Sequence, residues 1–247
     1  MARFNTLGAA AVLLTIGAGS FANAQEFEQD WAGFYVGAHV DGTAYSVEIA
    51  DANATFLNDH PEQTYLLFQG GVTGGYNYVL ENNLVIGGEL EWSSELAIDD
   101  FFASNSASTT GLQYDLRVSG ITQIRGRAGF IQGNALGFLT LGIAQASTQM
   151  ETYQVDTSSA QTSCDTSNCA RTTESLLGVS FGAGVDWAFR ENWIGRVEFQ
   201  QMVFESVQAP VLNSSGSLVC SVASEQCSLS YEPTSTSIRV GVSYMFE

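Results

Sequence analysis

Lysine is absent from this sequence, and only three prolines and eight arginines occur among its 247 residues. Charged residues make up 14% of the chain, and the formal net charge of −18 argues against a basic surface that binds nucleic acid. A hydrophobic fraction of 45%, with 15 Phe and 9 Tyr, is too large for a disordered chain. After residue 24 no apolar run reaches the roughly 20 residues of a transmembrane helix, so none is predicted.

The N-terminal residues have the pattern of an export signal. Arg3 precedes an apolar core over about residues 7–16, and residues 22–24 form the small-x-small motif of a cleavage site. The alternative is a single membrane helix, for which the apolar run is too short. We therefore predict a signal peptide over residues 1–24 and one exported domain over residues 25–247.

The rest of the chain divides into eight predicted strands joined by two kinds of connection. Three connections are short and carry turn residues, whereas four are longer and polar. Short and long connections alternate strictly, which is typical of an up-and-down barrel in an outer membrane and not of a Greek-key sandwich. The predicted fold is all-β, an eight-stranded antiparallel up-and-down transmembrane β-barrel. Its strands are expected at about 32–49, 64–80, 84–98, 112–132, 136–154, 173–190, 193–207 and 232–246.

Charged and apolar side chains alternate in these strands with the period of two that a strand requires. In the third strand, for example, apolar even-numbered residues alternate with Glu89 and Glu91. One face is almost free of charge over five strands, which fits contact with hydrocarbon; the alternative is a soluble exported barrel with its charges outside. We expect the charged face to line the lumen, with eight residues in an ion-pair network: Glu89, Glu91, Arg125, Arg127, Asp186, Arg196, Glu198 and Arg239.

The stretch ITQIRGRAGF at residues 121–130 is explained by this arrangement. Arg125 and Arg127 interrupt an otherwise apolar run because their side chains belong to the interior of the barrel. Buried charges need partners, and the planar guanidinium of arginine bridges two carboxylates better than lysine does. Inward-facing glycines are expected to leave room for these long side chains: Gly71, Gly182, Gly184 and Gly241.

Several expectations about orientation depend on individual residues. The outward face of the fourth strand is expected to include Val118, and that of the fifth strand Leu139, Leu141 and Ile143. In the seventh strand a bulge beyond Gln201 is expected to change the phase. Aromatic residues near the short turns are expected to form an interfacial girdle: Trp31, Tyr76, Tyr78, Phe130, Trp187, Phe189, Trp193, Tyr244 and Phe246.

The residue types that carry chemistry are few. Four cysteines in the last two long connections predict two local disulfides in an oxidising compartment, Cys164–Cys169 and Cys220–Cys227, with pairing across the loops as the alternative. His39 is expected inside the barrel and His60 in the first long loop, and neither accompanies a recognisable nucleophile. No catalytic residue, metal site or cofactor is predicted.

Four short motifs carry a resemblance to a known family. They are WAGFYVGA at residues 31–38, GGYNY at 74–78, GGELE at 87–91 and RGRAGF at 125–130. In this order they resemble the porin-family outer-membrane β-barrel proteins of α-proteobacteria, the small opacity-related (Omp25/Omp31-like) surface antigens. The ending IRVGVSYMF at residues 238–246 also resembles the terminal strand that the barrel-assembly machinery reads, with Tyr244 and Phe246 as its aromatic residues, although Glu247 follows where the signal normally ends.

The resemblance implies a non-enzymatic surface protein of the outer membrane that serves envelope integrity or host contact. Its expected partners are outer-membrane lipid and lipopolysaccharide, the barrel-assembly machinery and a surface ligand bound by the loops, but no nucleic acid. The alternative function is a narrow porin-like channel for small solutes or cations, which balanced charges inside the lumen would oppose.

Overall fold

The computed structural model describes residues 29–50, 62–94, 96–104, 110–156, 170–210 and 228–246. These residues form ten strands and one short 3-10 turn over Glu81–Asn83. Among them, no helix is long and apolar enough to span a bilayer. The strands are β1 Gly33–Ala50, β2 Glu62–Val79, β3 Leu84–Ser93, β4 Leu96–Ser104, β5 Thr110–Gln132, β6 Ala135–Asp156, β7 Ala170–Arg190, β8 Trp193–Phe204, β9 Val207–Pro210 and β10 Ser228–Met245.

All strand pairs are antiparallel, and the sheet closes on itself because β1 pairs with β10 as well as with β2. Strands β3 and β4 both pair with β5, so they form one interrupted strand of the wall. Strands β8 and β9 both pair with β10 in the same way. The wall therefore has eight strands, which confirms the predicted eight-stranded antiparallel barrel.

The three short turns lie at one end of the barrel, called here the turn end; the opposite end is the loop end. Asn82, Asn83 and Asn192 have positive φ angles, and Gly133 has a φ of 58°. Asparagine and glycine tolerate this left-handed conformation, which two-residue hairpin turns need. Both ends of the described barrel meet at the turn end, where the amide of Phe246 donates to the carbonyl of Phe34.

The outer face of the barrel is apolar, and the middle of its inner face is polar, as the alternation predicted. Leu139, Leu141 and Ile143 are exposed on the outside, so their expected orientation is confirmed. Seven of the nine expected girdle aromatics are also exposed near the turn end, and Tyr244 is half-buried there. The expectation for Trp31 was wrong: it precedes β1 and is buried, because its indole packs inside the mouth of the barrel.

Two irregularities change the phase of the wall. The expectation that Val118 faces outward was wrong, because the pairing of β5 with β6 shifts between Val118 and Ile121 and turns Val118 inward. Gly120, at this bulge, has a φ of +88°, a conformation that glycine adopts without strain. The phase change expected beyond Gln201 lies after Val203, where the register with β10 shifts by one residue before β9 begins.

Several expectations concern residues outside the described part of the chain and stay predictions. They are the signal peptide over 1–24, the environment of His60 and the role of Glu247. The pairing of the four cysteines, Cys164, Cys169, Cys220 and Cys227, belongs to the same group.

The apolar outer face makes a first prediction. Leu141→Arg would point a guanidinium into hydrocarbon from the middle of β6, and we expect it to lower the free energy of unfolding by about 2–4 kcal/mol. Urea titration of the barrel folded in phospholipid vesicles measures this change. Glu174→Arg, on an exposed site of β7 at the loop end, is the matched control and should have little effect. Equal stability of the Leu141→Arg variant and the parent would contradict contact of this face with lipid.

Candidate functional site

The charged residues expected in the lumen all lie there, and all are buried. Inward-facing positions recur every second residue, so β3, β5, β7, β8 and β10 each contribute to one network near the middle of the barrel. A ninth charged member, Asp41 of β1, is fully buried and bonded to Arg239. The described lumen thus combines five carboxylates with four guanidinium groups.

Arg125 is the centre of the network. Its Nη1 donates to Oε1 of Glu198 at 2.6 Å, and its Nη2 donates to Oε2 of Glu89 at 2.7 Å and to Oε2 of Glu91 at 2.9 Å. One side chain of β5 therefore holds carboxylates from β3 and β8, on two different sides of the lumen. Charge-assisted bonds of this kind are among the stronger hydrogen bonds in proteins, and here solvent does not compete for them.

Arg127 and Arg196 form the part of the network nearest the turn end. Arg196 binds Asp186 through two parallel bonds of 2.8 and 3.0 Å, and Arg127 donates to the same carboxylate at 2.7 Å. Glu89 accepts from Nη1 of Arg196 at 2.8 Å and from the hydroxyl of Tyr35 at 2.6 Å. Nη1 of Arg127 also lies 3.3 Å from Oε1 of Glu89. Asp186 is thereby shared between two arginines and Glu89 between three, which keeps every guanidinium group in this part of the network paired.

Arg239 forms the part of the network nearest the loop end. It binds Asp41 through Nε at 2.7 Å and Nη2 at 2.9 Å, and it also donates to Glu91. Sequence reasoning missed Asp41, although a signal was present: Asp41 lies two residues after His39, which had been placed inside β1. Extending the same phase by one step would have assigned Asp41 to the lumen.

Neutral polar side chains complete the hydrogen bonding of the carboxylates. Gln123 donates to Glu91 at 2.9 Å, and Gln200 in turn donates to Gln123 at 3.0 Å. Thr140 donates to Glu198 at 3.2 Å. Buried ions need such additional partners, since one opposite charge does not replace the hydration of a carboxylate.

His39 lies inside β1 beside Ser93, and the pair does not form a catalytic triad. Nε2 of His39 is 3.4 Å from Oγ of Ser93 and 3.7 Å from Asp41, whereas Nδ1 faces Thr73. In a serine triad the acid and the nucleophile occupy opposite nitrogens of the imidazole, but here both face the same nitrogen. His39 therefore belongs to the polar packing of the lumen.

Apolar side chains close the lumen on both sides of the network, which sequence reasoning did not foresee. The turn-end cluster consists of Trp31, Tyr35, Val85, Leu136, Ala188, Ile194 and Met245. The loop-end cluster consists of Tyr45, Val118, Ile121, Ala144, Ala146, Leu176, Met202 and Phe204. Most of these residues continue the inward phase of their strands, so the same alternation that located the ions could have located the clusters.

Phe138 marks the boundary between the ions and the turn-end cluster. The centroid of its ring lies 4.3 Å from Cζ of Arg127 and 4.9 Å from Cζ of Arg196. An aromatic face attracts a guanidinium group and shields it from water at the same time. The guanidinium groups at this boundary therefore contact an aromatic ring, and not the aliphatic side chains of the turn-end cluster.

The segment before β1 folds under the turn end of the barrel. The amide of Asn192 donates to Oε1 of Gln29 at 3.2 Å, and Gln29 also approaches the sulfur of Met245. Trp31 follows two residues later and enters the turn-end cluster. The chain therefore contributes its own cover to this mouth of the lumen.

The network makes a second prediction. Arg127→Ala would leave Asp186 and Glu89 each with one arginine partner fewer, and we expect a loss of about 3–5 kcal/mol in the free energy of unfolding. Urea titration of the folded barrel in detergent measures it. Arg190→Ala removes an exposed arginine from the turn end of β7 and is the control. Unchanged urea resistance of the Arg127→Ala variant would show that the pairs contribute nothing.

The space around the ions makes a third prediction. A Cβ atom at Gly182 would lie 2.6 Å from Oε1 of Glu198 and 2.7 Å from Oγ1 of Thr140, so Gly182→Ala must displace a network carboxylate. We expect it to destabilise the barrel by about 1–3 kcal/mol. Gly126→Ala, whose Cβ would point outward and lie 3.8 Å from the carbonyl of Leu141, is the control. If both variants have the same urea midpoint, the glycine does not serve to accommodate Glu198.

Comparison with a family model agrees with this architecture. The family model described as "Outer membrane protein beta-barrel domain" matches residues 9–246. Similar solved structures include Ail, the attachment invasion locus protein of Yersinia pestis, at 11% identity and a TM-score of 0.40 over 87% of this chain and 99% of that one. No curated protein sequence matches this chain.

Two further solved structures have similar coverage. Neisserial surface protein A is 12% identical, with a TM-score of 0.40 over 87% of this chain and 98% of that one. The outer membrane protease OmpT from Escherichia coli is 8% identical, with a TM-score of 0.43 over 87% of this chain and 97% of that one. The match to the family model spans nearly the whole sequence, so this chain belongs to the outer membrane protein beta-barrel domain family and is a protein of the outer membrane.

Proposed function

We propose that this protein is a non-enzymatic barrel with a closed lumen, which anchors in the outer membrane and presents its loop end for interactions at the cell surface. The observation that carries the proposal is the filling of the lumen. An ion-pair network occupies its middle, and an apolar cluster lies on either side of it. An ion entering from either end would meet apolar side chains first and then charges that already have partners.

The arrangement of the lumen favours this function over a narrow channel. Arg125, with a side chain exposure of 0%, is bonded to three carboxylates. Opening a pathway past it would require breaking buried ion pairs, each of which is costly to separate in a region of low dielectric constant. The lumen therefore serves as the rigid core of an anchor.

The same geometry favours a role without catalysis. Ser93 and His39 are buried between the ion network and the wall, and Asp41 is held by Arg239. A substrate would have to pass an apolar cluster to reach them. The surface is then the part of the molecule available for function, as the resemblance to the small opacity-related surface barrels also suggests.

The partners proposed from the sequence have support in the outer surface of the barrel. Apart from Trp31, the girdle aromatics face outward at the turn end, where lipid headgroups and acyl chains meet. Tyr244 and Phe246 lie at the end of β10, with ring centroids 5.3 Å apart, and Tyr244 also packs against Trp193. These outward rings suit recognition by the assembly machinery before β10 closes against β1.

A measurement of conductance tests the closed lumen. We expect the purified barrel to give no steady current steps in a planar lipid bilayer, because the ion network and both clusters fill the lumen. A general porin measured under the same conditions is the positive control. Reproducible cation-selective steps from the purified protein would favour the channel and overturn the proposal.

A further inference from the structure

Toward the loop end the wall of the barrel separates into two sheets. Strand β2 pairs with β3 only over Gly71–Val79, and within the described chain β4 pairs with β5 but not with β2. The separation begins where the amide of Ser94 donates to the carbonyl of Gly70 at 2.8 Å. Above that bond, one edge of β2 over residues 62–69 has no paired strand among the described residues.

A second separation lies across the barrel. Strand β7 pairs with β8 from Gly178 to Arg190, and the amide of Glu205 donates to the carbonyl of Leu177 at the upper limit of this pairing. Beyond it, β9 pairs with β10, whereas β7 stays with β6. The described loop end is thus formed by the sheet β9-β10-β1-β2 and the sheet β4-β5-β6-β7.

The free edge of β2 combines backbone groups with apolar side chains. Gly70 directs both its amide and its carbonyl toward Ser94. Because backbone groups alternate along an antiparallel strand, the amides and carbonyls of Thr64, Leu66 and Phe68 point to the same side. The side chains of Leu66 and Phe68 are 82% and 83% exposed, the highest values among the large hydrophobic residues of the described chain.

Acidic residues outnumber basic ones in the described strands of the loop end. Residues 44–50, 62–69, 96–104, 110–121, 146–156, 170–178, 202–210 and 228–236 contain ten acidic residues but only two arginines, Arg117 and Arg171. A partner that approaches this end enters a strongly negative field, which attracts cations and repels polyanions.

We propose that the free edge of β2 over residues 62–69 binds an extended cationic peptide segment, which adds to the sheet as an antiparallel or parallel strand. Backbone groups of Thr64, Leu66 and Phe68 would supply the hydrogen bonds, as in other cases of strand addition to a sheet edge. Apolar residues of the peptide would contact Leu66 and Phe68, while its basic residues face the acidic loop end. The inference rests on the proposed surface role and assigns it a chemical class of partner.

Synthetic peptides test the proposal with the intact oxidised barrel in nanodiscs. The probe is a peptide of about eight residues that alternates lysine and valine, which matches the length of the edge. We expect it to bind, and we expect methylation of alternate backbone amides to weaken binding about tenfold or more. A peptide that alternates glutamate and valine should not bind. Equal binding of the methylated and unmethylated peptides would overturn strand addition and leave only a general attraction of cations.

Hydrogen exchange and a proline variant locate the site. The amides of Leu66 and Phe68 should exchange rapidly in the free protein and become protected with the lysine–valine peptide; protection in its absence would overturn the free edge. Phe68→Pro removes one of the donors and should reduce binding about tenfold. Ile143→Ala, an exposed outward change on β6, should leave binding unchanged.

Heat-modifiable migration on a gel verifies that the variants are folded. If Phe68→Pro does not fold, the methylated peptide and the exchange measurement still decide the question. A silent bilayer recording together with no peptide binding would leave the closed barrel intact and reject the site alone.

Discussion

Charged side chains in the middle of the barrel wall must face the lumen, because hydrocarbon surrounds the outside of the barrel there. Four of the eight arginines therefore face inward, and each finds carboxylates from strands on different sides of the lumen. A lysine ammonium could not bridge these carboxylates in the same way, since a guanidinium offers several donors in a fixed plane. The network around Arg125 then ties β3, β5 and β8 together across the interior, in addition to the hydrogen bonds that join neighbours in the wall.

The apolar clusters and the ion network depend on each other. The turn-end and loop-end clusters keep water away from the guanidinium–carboxylate pairs, which strengthens the attraction within each pair. The pairing of the charges in turn lowers the free-energy cost of burying them next to the apolar clusters. Phe138 takes part in both, because its ring covers Arg127 and Arg196. Together these layers fill the described lumen, which supports the proposal that function lies at the outer surface of the molecule.

Toward the loop end the wall separates into two sheets, while β5, β6 and β7, with 23, 22 and 21 residues, are longer than the roughly ten residues that cross a membrane. The negative charge is concentrated in the same part of the chain. Surface chemistry and an open strand edge thus occur together at the end that faces away from the short turns.

Period-two alternation, turn residues and the strict sequence of short and long connections determined the class of fold, the number of strands and the inward direction of the charged residues. These are local patterns: the alternation of polar and apolar residues within one strand is enough to show which side faces the lumen and which faces lipid. Tertiary structure decided which acid meets which arginine, the inclusion of Asp41, the burial of Trp31 and the inward turn of Val118. The stagger between strands of a closed barrel decides which residues of distant strands lie at the same height and can form ion pairs. A bulge such as that at Gly120 adds one residue to a strand, so the residues before it face the opposite side of the wall from the one that strict alternation predicts. Neither effect can be read from a single strand considered alone.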